Sequence, residues 1–142
     1  MILQLALKRL RIILSYSINF DTEALKNTVI NNAKVNYTSE HSKLIDEISR
    51  VLCIIIQIPE TAMKGIVSNA IREWQLKNRK TVAELAELPI ARRLNAVKEI
   101  FHQGNMTLKK MLQQPKPKNE IILDIAFEKA FKHYLNWICQ NS

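Results

Sequence analysis

Glycine occurs only at positions 65 and 104 and proline only at 59, 89, 115 and 117, so the chain lacks the turn residues from which hairpins are built. Helices need breaks only at their ends, and the prolines fall between runs of helical periodicity. The expected fold is therefore all-α, a compact bundle of about five to seven helices. With 142 residues, 47% of them hydrophobic, the chain can bury one genuine core. A single domain over 1–142 is expected, with Pro59 as the one place where a more neutral first part could be divided from a basic second part.

The helices can be placed from caps and spacing. Gln4, Lys8, Arg11 and Ser15 form one narrow polar stripe on an otherwise apolar first segment, the mark of a nearly buried helix. Asp21 is placed to cap a second helix running to about Lys34, and Thr38 or Ser39 to start a third. In the third, Leu44, Ile45, Ile48, Val51, Leu52 and Ile55 keep helical spacing, and the end of the segment is apolar nearly all round. That end, Leu52 to Ile58, must meet either the core or another subunit. A fourth helix after Pro59 should bury Met63, Ile66, Val67, Ala70, Ile71 and Trp74 and expose a ridge of Lys64, Ser68, Arg72, Gln75 and Arg79. Thr81 and Glu84 form a capping box that opens a short helix with Val82, Leu85 and Leu88 inward. Pro89 restarts the chain in a helix with Ile90, Leu94, Val97 and Phe101 inward, ending at Gly104. Asn105 can cap a further short helix, and the run from Pro115 to Lys118 reads as a stiff extended linker. A final helix should turn Leu123, Phe127, Ala130, Phe131, Tyr134 and Ile138 to the core.

Several functional classes find no support in these residues. The apolar start is interrupted by Lys8, Arg9 and Arg11, which argues against a signal peptide or membrane span and for a cytoplasmic protein. Cys53 and Cys139 lie in apolar helical runs without a CxxC pair, and both read as buried thiols. Glu99 and His102 make one Glu-x-x-His step, half of a di-metal helix pattern. Its second half is missing and its surroundings are cationic, so a surface ion pair is expected there and no metal. His41 and His133 have no partner at ligand spacing and should face solvent or cap a helix. No nucleophile triad, phosphate loop or dinucleotide glycine pattern occurs. The expectation is a chain that is not an enzyme and needs no cofactor.

What remains is charge. Lys64 to Lys118 carries 12 Lys and Arg against 4 Asp and Glu, which equals the whole net charge of +8. As composition the excess is mild, and its arrangement matters more. Lys64, Arg72, Lys77, Arg79 and Lys80 follow one helix, Arg92 and Arg93 are adjacent, and Lys109, Lys110, Lys116 and Lys118 bracket the proline run. If the bundle brought these groups to one face they would form a phosphate-binding surface, so nucleic acid is the expected partner. An acidic protein docking on the same face is the alternative. Trp74, beside cations, could stack on a base, but its phase with Met63, Val67 and Ile71 assigns it to the core.

Two modes of binding fit. TVAELAEL followed by PIARRLNAVKEIF resembles the start of a helix-turn-helix regulator, with Arg92 and Arg93 early in the reading helix, but Leu88 and Pro89 alone replace the usual turn. The whole chain also resembles the small subunit of Cascade-type CRISPR effector complexes, in size, in its all-helical pattern, in the Lys64 to Lys118 band and in its want of catalytic groups. An apolar helix entered at Ile2 agrees with this, as expected if Met1 were an internal start within a longer reading frame. The resemblance implies a non-enzymatic subunit of an RNA-guided antiviral complex. Copies would self-associate beside other subunits, along a guide RNA duplex, and hold a DNA strand by its phosphates. It assigns that contact to Arg72, Arg79, Arg92, Arg93, Lys109 and Lys110.

Overall fold

The computed structural model describes residues 18–113 and 116–141. The stripe of Gln4, Lys8, Arg11 and Ser15, Pro115 and the side chain of Cys139 lie outside the described residues. Within them the regular structure is helical: α1 Thr22–Ala33, α2 Ser39–Ile55, α3 Glu60–Asn78, α4 Val82–Glu87, α5 Ile90–Lys110 and α6 Lys116–Asn141.

Local chemistry starts three of these helices. Asp21 accepts from the backbone N–H groups of Glu23 and Ala24, and Thr38 from that of His41, so donors left over in each first turn are satisfied. Thr81 and Glu84 close the expected capping box on α4. Each cap of this kind stabilises its helix by about 1 kcal/mol.

The core forms where α2, α3, α5 and α6 pack together, α3 lying against α1, α2 and α5. All six positions expected inward on α2 and all six on α3, Trp74 included, are buried. Residues on both sides of Pro59 share this one hydrophobic cluster. The all-round apolar end of α2 is explained by its neighbours: α2 is flanked by α3, α4 and α6, and Leu52, Ile55 and Ile56 are fully buried. Leu52, Ile55 and Ile56 thus belong to the core, with Ile54 and Ile58 half-buried against it and Gln57 exposed. Cys53, in the same stretch, is only half-buried.

Four expectations fail for tertiary reasons. The helix after Pro89 does not stop at Gly104 but continues to Lys110. Gly104 does not have a positive φ and is buried against Phe127 of α6, whose Cε1 would stand 3.5 Å from an added Cβ, an ordinary contact, so nothing at this position breaks the helix. Asn105 caps nothing; it is buried inside α5 and donates to Asp124 on α6 at 2.7 Å. Lys116, Pro117 and Lys118 are not an extended linker but the first turn of α6, where proline's missing N–H would have had no helical acceptor. Ile90 opens α5 beyond the reach of the core and stays 51% exposed.

The helix α1 is unlike the others because none of its residues is buried. It is held by a close approach to α3 at Gly65, where an added Cβ would lie 2.6 Å from Thr28 Cγ2 and 3.0 Å from the Thr28 carbonyl oxygen. Backbone bonds from Asp21 N–H to the Met111 carbonyl (2.8 Å) and from Gln113 N–H to the Asn19 carbonyl (3.0 Å) tie its approach to the end of α5.

Candidate nucleic-acid interface

The eleven candidate cations divide by what surrounds them. Lys64 is half-buried between Asp46 on α2 (3.4 Å) and Glu60 one turn back (3.8 Å). Lys109 is half-buried with its Nζ 2.7 Å from Asp124. That lysine, followed by the Asn105 amide, holds the Asp124 carboxyl below its ordinary value. Arg93 is half-buried too, its guanidinium donating to the Leu88 carbonyl at 3.4 Å and so clasping the turn between α4 and α5. These three charges are engaged within the fold, and a phosphate would have to compete for them.

Arg72, Lys77, Arg79, Lys80, Arg92, Lys110 and Lys118 are exposed and have no carboxylate partner among the described residues. Lys116 is exposed as well. Arg93 and Arg92, adjacent in sequence, point about 100° apart on the helix, so only Arg92 is offered to solvent. A helix-turn-helix would need both early residues of its reading helix, and here one of them is tied to the turn.

The exposed cations do not gather at one point. Helices α3 and α5 run antiparallel: Gly104 sits against Ile66, while Trp74 and Lys77 share a depression with Asn95 and Lys98. Lys77, Arg79 and Lys80 therefore end α3 beside the start of α5, which carries Arg92. Lys110, Lys116 and Lys118 lie at the other end, where α5 passes into α6. Eighteen residues separate Arg92 from Lys110, about five turns, so the two point from the same side of α5 roughly 27 Å apart. Between them Lys98, which sequence reasoning did not select, joins Lys77 around the depression, but Glu73 and Glu99 also line it. Arg72, about two turns before Arg79 on α3, faces a groove between α1 and α3.

Backbone conformation and helix polarity separate these cations further. Arg79 is the one described non-glycine residue in the left-handed region (φ 52°), a position that glycine would occupy without strain. Lys77, Arg79, Lys80 and Lys110 lie at helix C-termini, where positive charge is favourable. Arg92 and Lys118 lie in first turns that contain no acidic residue, where positive charge opposes the helix dipole.

The other singled-out residues are accounted for by packing. No ion pair joins Glu99 and His102, which are both exposed. His41 is half-buried between Thr38 Oγ1 and Gln75 Oε1, each 3.1 Å from a ring nitrogen. His133 is half-buried on α6. Among the described residues no three His, Cys, Asp or Glu side chains are grouped as metal ligands, and no helix is long and apolar enough to cross a membrane. Searches against protein-family models, curated proteins and solved structures each find no match to this chain.

Proposed function

We propose that this chain is a non-enzymatic nucleic-acid-binding subunit of a ribonucleoprotein. It would hold a strand by its phosphates without reading sequence, as the resemblance to the small subunit of Cascade-type effector complexes implies. One observation carries the reading: exposed cations stand at both ends of α5, Arg92 and Lys110 on the same side of that helix, and two exposed cations, Arg92 in the first turn of α5 and Lys118 in the first turn of α6, are ones the fold itself does not favour. A charge that costs helix stability is better explained by an external anion than by folding. The spacing of roughly 27 Å suits a backbone followed over several nucleotides, since one strand of a duplex presents a phosphate about every 3.4 Å. Each subunit alone would bind weakly, and several copies along one strand would raise affinity through effective concentration.

The test replaces Arg92 and Lys118 by Gln together and follows anisotropy of labelled single strands and duplexes of several sequences from low to moderate salt. For single strands the slope of log affinity against log salt falls by about 1.4 for two lost phosphate contacts, equally for every sequence. Thermal stability is unchanged or slightly raised, because two charges opposed to helix dipoles are gone. A strong preference for one duplex sequence would instead indicate a regulator. Failure to bind any nucleic acid at low salt, alone and within the complex purified from cells, would refute the proposal and favour an acidic protein on this face.

A further inference from the structure

A groove of about 500 Å³ lies between α1 and α3, within the range of small-ligand sites. Its chemistry differs from that of the cation clusters. Arg72 is the one formal charge on its lining, and no carboxylate faces it. Five amide side chains are among the remaining polar groups, and three of them, Asn31, Asn36 and Asn69, are exposed and make no side-chain hydrogen bond among the described residues. At one side the rings of Tyr37 and His41 lie 5.8 Å apart at 37°. Both are fixed, the tyrosine hydroxyl by Asn32 (2.9 Å) and Ser68, the imidazole by Thr38 and Gln75. The groove is held narrow by the contact of Gly65 with α1.

Held rings, unpaired amides and one guanidinium match the parts of a nucleotide. An amide presents a donor and an acceptor in one plane, as the edge of a nucleobase does. A fixed aromatic pair offers a stacking surface that any base can use. The guanidinium of Arg72 is left for a phosphate. Thr107 of α5 and Met111 just past its end also line the groove, which therefore reaches the end of α5 that carries Lys110. We infer that the groove takes one unpaired base of a strand whose backbone passes Arg72 and the α5 end that carries Lys110, the base against Tyr37 and His41 and its edge on the Asn side chains. This rests on the proposed function and deepens it: the protein would hold single strands in preference to duplexes, because a paired base cannot enter.

The decisive comparison uses oligonucleotides of equal length and charge, in DNA and RNA form: one with bases, one abasic, and one annealed to its complement. The base-bearing single strand should bind the wild-type chain roughly tenfold more tightly than the abasic strand, in the range of one stacked base. His41→Leu and Asn69→Leu should each reduce that difference while leaving abasic affinity intact. Asn69 is exposed on α3, so its substitution does not threaten folding. Equal affinity for base-bearing and abasic strands would overturn the groove as a base site and leave phosphate binding standing. Loss of all strand binding would overturn both.

Discussion

Gly65→Ala tests the contact that shapes the groove. In a helix interior alanine is favoured over glycine by about 1 kcal/mol, so a helix surface with room for a methyl group would gain from the change. At position 65 the new Cβ would meet Thr28 Cγ2 at 2.6 Å, the Thr28 carbonyl oxygen at 3.0 Å and Asn32 Cβ at 3.3 Å. Rotating Thr28 relieves only the first, because the second is backbone of α1. Overpacking of this kind costs roughly 1 to 3 kcal/mol, more than the propensity gained. The helix α1 has no buried residue to hold it, so it should yield by moving off α3 while the core keeps its packing. Global stability in urea should fall by up to about 2 kcal/mol, and amide hydrogen exchange should quicken in α1 first. Adding Thr28→Ser removes the methyl group and keeps the hydroxyl that bonds the Ala24 carbonyl, so it should restore part of the loss. Gly104→Ala is the control: its Cβ finds only ordinary contacts, 3.5 Å from Phe127 Cε1 and 3.9 Å from Ile66 Cγ2, and it should gain up to about 1 kcal/mol. If Gly65→Ala were as stabilising as Gly104→Ala, α1 would not be pressed on α3 as described.

Two further predictions concern pH. Asp124 is held below its ordinary value of 3.8, chiefly by the Lys109 bond, so it stabilises the fold above that value and the contribution is lost as pH falls through the lowered one. Its side chain is 56% exposed, so Asp124→Asn should cost less than about 1 kcal/mol near neutrality and should flatten the acid limb of the urea stability profile. Identical acid limbs would disprove the pairing. Tyr134 is pushed up to about 12, first by burial and then by the Glu47 carboxylate, with Arg93 opposing. Its contribution is complete below the ordinary value of 10.0 and disappears as pH rises towards 12; Tyr134→Phe should therefore hold its stability better across that interval, checked by alkaline unfolding and tyrosinate absorbance.

Some of this was legible in the residues and some was not, and the division follows the range of the interactions. Caps at Asp21, Thr38 and Thr81 are bonds across two or three residues, so sequence spacing determines them. The buried faces of α2 and α3 follow from helical period alone. Gly104 followed by Asn105 carries the same local signal as a helix end, and only packing against α6, far along the chain, carries the helix through them. Lys64 and Asp46, or Lys109 and Asp124, are neighbours through packing that no local pattern records. The groove had a faint signal: Asn31, Asn32 and Asn36, which line it, crowd the end of a helix none of whose residues is buried.

The basic band is thereby resolved into groups with different reasons for being positive. Lys64 and Lys109 serve internal pairs, and Arg93 secures a turn. Lys77, Lys80 and Lys110 are adequately explained as favourable charges at helix ends. Arg79 could serve the same end but occupies a backbone position better suited to glycine. Arg92 and Lys118 work against their helices, and Arg72 faces a groove without a counter-charge. Net charge would rank all eleven alike, whereas folding accounts for some and not for others. An anionic ligand is most needed to explain Arg72, Arg79, Arg92 and Lys118, and these sit on three sites of the bundle: two ends of α5 and the polar groove. Under the proposed function one strand would reach more than one of them, which a small anion cannot do.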